Sequence, residues 1–397
     1  MKRKTRLLIR DAFLSTILSC ILLAILSIVF VNIRFFNPLH KALKDFSFLD
    51  VYYAEKFEDN SKINNDIILV NVENHGREVI ATLLESVLNE DPKVVGFDII
   101  LEKHKSHNHS DSLLAKLLKN KKVVTSFDFN EDDIEDNVIE NESFFYNPNE
   151  SAYVNFDFNE EIAVVREFQG MMDINGEKRL SFATMISKHY LKPKTWKKNK
   201  YDTKLENLQV IKYSGNLEKF PILSINDFLF SSSKKILKDK IVILGYLGSS
   251  KSDNRFDIRD KHFTPLNNQL AGKSDKDMYG VVVHANIVNM LIKNDLIYRV
   301  SYLWQGVITF ICMFISTMVY MKLNRNYKIS YRTRKQTYQF TFSVVLLLVV
   351  FGLLKNDIVL SPFIIIIGIL LAGSYFKYYK HLVRYIKTKR KWKTYVK

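Results

Sequence analysis

Long runs of uncharged, mainly apolar residues occur near both ends of the 397-residue chain. Each run has about 19–22 residues, close to the length that an α-helix needs to cross the hydrocarbon core of a membrane. The pattern therefore predicts four transmembrane helices, one N-terminal and three C-terminal, at 12–33, 300–321, 336–354 and 358–376.

Between the first two runs the pattern changes to short blocks of two kinds. Nearly continuous β-branched runs of strand length are typical of strands buried on both faces of a parallel sheet, and they occur at 66–72, 93–100, 121–129, 161–168, 207–213 and 239–246. Apolar residues at three- and four-residue spacing predict helices at 77–90, 110–120, 179–191 and 280–294. Because strand and helix alternate, the predicted fold class is α/β, with a mainly parallel sheet flanked by helices.

One stretch of the middle segment does not follow this alternation. Residues from about 130 to 160 are acidic, rich in asparagine and weakly apolar. Polar segments without apolar periodicity are typical of loops. We therefore interpret this stretch as an irregular insertion.

Positive charge is concentrated in three short stretches, although the formal net charge is +16. Residues 1–11 carry five Lys/Arg, residues 322–337 carry six and residues 377–397 carry nine, whereas residues 33–300 carry 37 Lys/Arg and 40 Asp/Glu. Basic residues beside transmembrane helices stay on the cytoplasmic side. The charge therefore predicts a membrane topology and gives no reason to expect nucleic acid as a partner.

The resulting topology places both ends of the chain inside. The predicted inner segments are the N-terminus 1–11, the loop 322–335 and the tail 377–397, and the predicted outer segments are the domain 34–299 and the turn 355–357. The first run is longer than the apolar core of a signal peptide, so an uncleaved anchor is expected. The basic, aromatic tail either lies on the inner leaflet or only sets the topology.

A family resemblance is carried by several motifs in a fixed order. They are "VNVEN" (70–74), "PKVVGFDII" (92–100), "KIVILG" (240–245), D-x-x-x-TP (260–265) and G-x-x-x-HAN (280–286). Over about residues 45–295 the sequence resembles a CHASE2 domain. A Trp/Pro-rich segment that many such domains carry after the first strand is replaced by "ENHGR" (73–77).

The resemblance implies an extracytoplasmic sensory domain of a bacterial membrane receptor. Together with the four predicted spans, it implies a multi-pass protein of the bacterial inner (plasma) membrane, with the large domain on the extracytoplasmic (periplasmic) side. It supplies no ligand and no catalytic residue, so we predict a protein that is not an enzyme and requires no cofactor.

Polar residues that follow predicted strands are the first candidates for a ligand site. Glu73 and Asp98 lie at the ends of two strands, and Asp260 and Thr264 lie in the loop after a third. Loops at the carboxyl ends of parallel strands are where ligand sites form in α/β folds. The structural alternative is that Asp98 caps a loop or pairs with an arginine such as Arg166 or Arg179.

His284 is a further candidate because it is surrounded by apolar residues on a predicted helix. Val281, Val288 and Leu291 share its helical face. The favoured interpretation is a core histidine with hydrogen-bonded ring nitrogens, and the alternative is ligand contact or pH sensing.

The segment "EKHKSHNHSD" (102–111) contains His104, His107 and His109, three imidazoles that would suit zinc, copper or nickel. Such a tract is compositional evidence only, and we expect no specific metal site there. Both cysteines, Cys20 and Cys312, lie in predicted transmembrane helices, so the outer domain has no cysteine for a disulfide or a metal.

The preferred hypothesis is a non-enzymatic sensor or adaptor. Its outer domain would bind an unknown small molecule or protein, and the signal would pass to a cytoplasmic or membrane effector protein in trans. One alternative is a structural or assembly subunit whose outer domain docks another protein. A weaker alternative is a metal-dependent enzyme built on the histidine tract or on Asp98, Asp260 and His284. Membrane lipids and a second copy of the chain are further expected partners.

Overall fold

The computed structural model describes residues 3–32, 47–56, 62–101, 109–129, 138–139, 144–145, 147, 150–156, 164–174, 176–230, 236–249, 259–267, 275–325 and 330–396. The chain divides into two compact units. One, the α/β unit, comprises Leu49–Ile297. The other, the helical unit, comprises Met1–Phe48 and Tyr298–Lys397.

The secondary-structure elements are numbered in chain order. The helices are α1 (Arg3–Asn32), α2 (Phe48–Lys56), α3 (Arg77–Asn89), α4 (His109–Leu118), α5 (Phe182–Tyr190), α6 (Pro193–Asn199), α7 (Tyr201–Lys204), α8 (Ile225–Phe230), α9 (Gly280–Lys293), α10 (Tyr302–Leu323), α11 (Tyr331–Leu354) and α12 (Pro362–Lys389). The strands are β1 (Ile67–Asn71), β2 (Val94–Phe97), β3 (Val123–Phe129), β4 (Val138–Ile139), β5 (Ser151–Tyr153), β6 (Glu167–Phe168), β7 (Met171–Ile174), β8 (Glu177–Leu180), β9 (Gln209–Val210), β10 (Ile222–Leu223), β11 (Ile241–Gly245), β12 (Lys261–His262), β13 (Met278–Tyr279), β14 (Tyr298–Arg299) and β15 (Ile358–Val359).

A parallel sheet forms the centre of the α/β unit. Its parallel strands lie in the order β10–β1–β11–β2–β3–β5, and β4 pairs antiparallel with the end of β3. Strand β11, which comes late in the chain, therefore lies between β1 and β2. The predicted α/β class with a mainly parallel sheet is confirmed.

Helices cover both faces of this sheet. On one face, α3 and α4 pack against alternate strand residues such as Val70, Val95 and Leu244. On the other face, α5 and α9 pack together and against the strands. Gly96 on β2 faces α5, where a Cβ would lie 2.5 Å from Ile186 Cδ1, so the missing side chain allows close packing there. Burial on both faces explains why the central strands are continuously apolar.

The structure corrects three predicted elements. The predicted strands 161–168 and 207–213 contribute only β6 and β9, which pair with each other outside the main sheet; residues 161–163 lie outside the described residues. The interpretation of 130–160 as irregular is wrong at β5, which is a parallel strand at the edge of the main sheet. Alternation of apolar and polar residues predicts a strand only over four or more residues. The edge strands β5 and β10 have three and two residues, so the sequence pattern could not predict them.

Among its described residues, the helical unit contains four helices that are long and apolar enough to cross a membrane. They comprise Arg3–Ile28 within α1, together with α10, α11 and α12. This agrees with the prediction of one N-terminal and three C-terminal spans. Helix α12 continues to Lys389, past the predicted end of its span at residue 376, and the segment after it contacts α1, where Asp11 Oδ2 accepts a hydrogen bond of 2.6 Å from Tyr395 N.

A short parallel ladder also belongs to the helical unit. Tyr298 N donates to Asp357 O at 2.8 Å, and Val300 N donates to Val359 O at 3.0 Å. These bonds pair β14, just before α10, with β15, just before α12. The sequence pattern did not predict this pairing.

Candidate functional site

The carboxyl ends of β1, β11 and β2 meet at one edge of the sheet. Backbone hydrogen bonds extend the ladder past the strand ends, from Val72 N to Gly245 O at 3.0 Å and from Asp98 N to Leu244 O at 2.8 Å. Asn71 orders the loops beyond, since its side-chain oxygen accepts from Glu73 N and Leu247 N, both at 3.0 Å. Glu73 has a φ of 47°, so its backbone turns sharply away from the strand.

Two glycines allow helix α9 to begin against this edge. A Cβ on Gly245 would lie 2.2 Å from Val281 Cγ2 and 3.3 Å from Asp98 Cβ. A Cβ on Gly280 would lie 3.2 Å from Asp260 Oδ1 and 3.5 Å from His262 Nε2. Because both glycines lack a side chain, the first turn of α9 can lie next to Asp98, Asp260 and His262.

The ladder of β12 and β13 holds Asp260 and His262 in place. Lys261 pairs with Tyr279 in this antiparallel ladder, and Gly280 N donates to Asp260 O at 2.9 Å. Asp260 and His262 flank Lys261, and both side chains approach the start of α9 at Gly280. We call Asp98, Asp260, His262 and His284 the strand-end cluster.

His284 lies one turn along α9 from Gly280 and is 3% exposed. Its ring packs between Phe156, at a centroid distance of 4.6 Å, and Phe182, at 5.1 Å. The ring of His262 lies 5.1 Å from the same Phe156. The expected burial is present, but the expected hydrogen bond is missing at Nδ1, which is buried without a partner among the described residues.

Burial determines the ionisation of the cluster. It raises the pKa of Asp98 well above its usual value, and the nearby charge of Asp260 raises this pKa further. Burial raises the pKa of Asp260 to about 6, against the opposing effect of Lys276. Asp260 also retains an exposed surface, whereas His284 is enclosed. Water therefore screens the effect of burial on the pKa of Asp260 more than it screens the effect on the pKa of His284.

The two imidazoles shift in the opposite sense. Burial lowers the pKa of His284 to about 3, with a smaller contribution from His262. Burial also lowers the pKa of His262 to about 4, helped by the positive charge of Lys276. Both rings are therefore neutral near pH 7, and the pKa of about 6 means that Asp260 changes its charge between pH 5 and pH 7.

The structure brings together three of the five predicted ligand-site residues: Asp98, Asp260 and His284. Glu73 lies at the same sheet edge, where its carboxylate oxygen Oε2 lies 3.9 Å from His75 Nε2. Thr264 bonds to Asp277 through its backbone N at 2.8 Å and through its hydroxyl at 2.5 Å, which stabilises the loop instead.

The arginine partners proposed for Asp98 are engaged elsewhere. Arg166 forms a buried ion pair with Asp50 at 2.7 Å, and Arg179 lies 3.5 Å from Glu177. The interpretation that Asp98 pairs with either arginine is therefore wrong. The sequence search also missed His262 as a site residue, although its place two residues after Asp260 in "DKHFTP" was a usable signal.

Asn286 is a second residue that the candidate set omitted. It is fully buried, and its side-chain oxygen accepts from Ser214 N at 2.7 Å and from Ser214 Oγ at 2.9 Å. Its amide donates to Gly215 O and to Val282 O, both at 2.9 Å. The HAN motif therefore places one residue in the strand-end cluster and uses another to attach α9 to a neighbouring loop.

Within the described part of the chain, no group of three or more His, Cys, Asp or Glu residues is arranged to hold a metal ion. His109 begins α4. His104 and His107 lie outside the described residues, so the expectation for the histidine tract stays untested.

Comparison with protein families identifies the class of this domain. The family model described as CHASE2 domain matches residues 27–320. The chain therefore belongs to the CHASE2 domain family, a family of extracellular sensory domains, as its motifs indicated. Together with the four apolar helices, this describes a multi-pass membrane protein with an extracellular sensory domain. No significant match was found among curated proteins or solved structures.

Proposed function

We propose that the protein senses a signal outside the bacterial inner membrane and relays it to a separate effector protein, without catalysing a reaction. The observation that carries the proposal is the strand-end cluster, which packs titratable groups against the first turn of α9. Helix α9 ends at Lys293 and α10 begins at Tyr302. A change in charge or ligation at the cluster would thus act on a helix that leads directly into a candidate membrane span.

The attachments of α9 support transmission along the helix. Its residues from Gly280 to Leu291 are buried. Tyr201 OH donates to Leu291 O at 2.6 Å, and Asn64 Nδ2 donates to Asn289 Oδ1 at 2.8 Å. Close-packed protein interiors have low compressibility and transmit strain. A displacement at the start of α9 would therefore be transmitted along the buried helix to its C-terminal end.

The chemistry of the cluster supports sensing more than catalysis. Its imidazoles are neutral, and His284 is enclosed by aromatic rings. The exposed member is the carboxyl of Asp260, whose charge responds to protons, cations or a polar ligand. Membership of a family of extracellular sensory domains supports the sensing role, and the relay to a protein in trans is part of the proposal.

A spectroscopic experiment tests the relay within the full-length protein. Cys20 and Cys312 are replaced by serine, and spin labels are attached to cysteines at the exposed positions Arg332 and Lys391. Electron-electron distances are then measured in lipid nanodiscs at pH 7.5 and pH 5, which bracket the pKa of about 6 of Asp260. We expect the distance between the labels to change with pH.

Two variants make the result specific to the cluster. Asp260→Asn removes the responsive carboxyl and should abolish the change. Glu85→Gln removes an exposed carboxyl on α3 and should leave it intact. An unchanged distance in the parent protein, or a change that persists in Asp260→Asn, would contradict the proposed relay.

The assembly-subunit hypothesis makes a different prediction for the partner. The protein is cross-linked in its native membranes at both pH values, and the yield of any stoichiometric partner is compared between parent and Asp260→Asn. A relay predicts a yield or a cross-link pattern that depends on the cluster. A docking platform predicts a constant yield in all four samples.

A further inference from the structure

A short segment of the α/β unit concentrates positive charge. Residues 192–204, which we call the basic segment, contain six lysines and a single acid, Asp202. The carboxylate of Asp202 accepts a hydrogen bond of 2.8 Å from Trp196 Nε1. All six lysines are exposed, and none of them forms an ion pair with a described residue. They are Lys192, Lys194, Lys197, Lys198, Lys200 and Lys204.

The basic segment is attached to the C-terminal end of helix α9. Tyr201, the first residue of α7, is completely buried. Its hydroxyl group donates to Leu291 O at 2.6 Å and to Asn294 Oδ1 at 3.2 Å. The positive charge therefore lies at the end of the α/β unit from which the chain continues towards α10.

Three more lysines converge at this end of the unit, and Asn64 connects the segments that carry them. Its backbone N donates to Lys219 O at 2.8 Å, and its Nδ2 donates to Asn289 Oδ1, about one turn before Lys293, at 2.8 Å. Lys62 lies two residues before Asn64. We call Lys62, Lys219, Lys293 and the six lysines of the basic segment the basic face.

The acids around the basic face do not neutralise it. Burial lowers the pKa of Lys219, the positive charge of Lys293 lowers it further, and Glu218 opposes this only in part. Asp295 and Asp66 pair instead with Lys212 and Lys240, at 2.6 and 3.8 Å. The face therefore retains a large excess of positive charge.

Exposed apolar side chains adjoin these lysines. Ile63, next to Lys62, is 58% exposed, and Leu208 is 47% exposed. Gln209 Nε2 donates to Lys204 O at 2.8 Å, which keeps Leu208 beside the basic segment. Binding to a membrane interface combines burial of apolar side chains with attraction of basic side chains to anionic lipids. The basic face offers both kinds of side chain.

The chain connects the basic face closely to a candidate membrane span. Residues 294–301 alone lie between Lys293, which ends α9, and Tyr302, which begins α10. An extended chain of that length spans at most about 30 Å. Tyr302 and Trp304 are 82% and 58% exposed, and such aromatic residues at the end of a span are typical of the membrane–water interface. The basic face is therefore tethered within reach of lipid headgroups.

From these observations we propose that the basic face binds the membrane surface through the anionic phosphate groups of phospholipids, with Ile63 and Leu208 entering the interface. A tether this short gives the lipid a high effective concentration, which favours lipid over a soluble acidic protein as the partner. The strand-end cluster lies at the opposite, carboxyl-terminal edge of the sheet, so binding of lipid leaves it open to the outside.

Fluorescence of the full-length protein in nanodiscs tests this binding. Cys20 and Cys312 are replaced by serine, and the environment-sensitive fluorophore NBD is attached in the variant Ile63→Cys or, as a position control, in Glu78→Cys. Glu78 is exposed on the first turn of α3, which follows the opposite end of β1. The nanodiscs contain phosphatidylcholine alone or an equal mixture with phosphatidylglycerol.

We expect NBD in Ile63→Cys to emit more strongly and at shorter wavelength in the anionic discs, because it enters an apolar environment. Raising the salt concentration from about 50 mM to about 500 mM should reverse this change, because salt screens the attraction. NBD in Glu78→Cys should emit alike under all conditions.

Variants of the lysines locate the interaction. A lysine near an anionic membrane surface strengthens binding about fivefold. Replacing Lys194, Lys197 and Lys198 together by glutamine should therefore lower the ratio of bound to free domain, obtained from NBD lifetimes, about a hundredfold. Replacing the same three by arginine retains the charge and should keep the ratio within about twofold of the parent. Lys293→Gln should lower the ratio about fivefold.

The proposal is overturned if NBD in Ile63→Cys emits alike in both kinds of disc, which is also the result that an acidic protein partner predicts. It is overturned if Glu78→Cys responds as strongly, or if the arginine variant loses binding as the glutamine variant does. If the glutamine variant fails to fold, as judged by the fluorescence of Trp196, an unchanged ratio in Lys293→Gln overturns the proposal. These measurements are made at constant pH and with a label on the α/β unit, so their failure is separable from a failure of the relay.

Discussion

Replacement of Gly245 by alanine tests the close approach that positions the strand-end cluster. The new Cβ would lie 2.2 Å from Val281 Cγ2, whereas carbon atoms in ordinary contact are about 3.5–4.0 Å apart. Val281 is completely buried, so the overlap is relieved only if the start of α9 moves. Overpacking of this kind costs about 2–3 kcal/mol, the upper part of the usual range.

A second variant, Val281→Ala, tests whether the cost of Gly245→Ala comes from the overlap with Val281. Val281→Ala removes two buried methyl groups, about 1.6 kcal/mol of transfer free energy, and the cavity raises the cost to about 2–2.5 kcal/mol. If the two changes were independent, their costs would add to about 4–5.5 kcal/mol. Because the methyl group added by Gly245→Ala would occupy the space of the missing Cγ2, we expect the double variant to cost only about 2 kcal/mol.

Trp196 provides the assay. The chain has three tryptophans, and only Trp196 lies in the α/β unit, where it is 4% exposed. With Trp304 and Trp392 replaced by phenylalanine, its fluorescence reports urea unfolding of that unit alone. A Gly245→Ala variant as stable as the parent, or a double variant whose cost equals the sum of the single costs, would refute the argument.

Three further predictions use the same fluorescence assay. The pKa of His284 is about 3 in the folded protein and 6.5 in the unfolded chain, so unfolding takes up a proton and stability is lost as the pH falls below 6.5. Between pH 7 and pH 5 the His284→Phe variant should therefore lose about 2 kcal/mol less unfolding free energy than the parent. An identical pH profile of stability in the two proteins would contradict the pKa shift. Asn286→Ala leaves the partners in residues 214–215 without hydrogen bonds and should cost about 2–4 kcal/mol, which a variant with unchanged urea midpoint would disprove. Arg166→Met removes the cationic partner of the buried Asp50 carboxylate and should cost about 3–5 kcal/mol. Adding Asp50→Leu should recover much of this cost, and a double variant less stable than Arg166→Met would count against the reasoning.

The parts of the fold that sequence predicts are those with long apolar signals. Strands such as β1, β3 and β11 are nearly continuous in β-branched or aromatic residues because helices cover both their faces. The four membrane helices are longer still and are flanked by basic residues. By contrast, β5 contains Ser151 and is only three residues long, so its place in the sheet depends on pairing with β3, which no local pattern encodes.

The strand-end cluster illustrates a second limit. Asp98 and Asp260 come from distant parts of the chain, and they meet because β11 inserts beside β2 and α9 begins over its end. The alternation of strands and helices predicts that strand ends share an edge, but not their order along it. The contact of Asp98 with an arginine was a reasonable expectation from charge alone, yet Arg166 folds against Asp50. Charge partners depend on the tertiary fold, which explains why composition could not select them.

The ladder of β14 with β15 has a mechanical consequence for the helical unit. It links the residues just before α10 to those just before α12, and farther along the helices Tyr320 OH donates to Ile369 O at 3.0 Å. A rotation of α10 about its own axis would break these bonds, whereas a joint translation of α10 and α12 would preserve them. A force applied at Tyr298 is therefore divided between two helices, and the fold favours concerted movement of the pair over independent movement of either one.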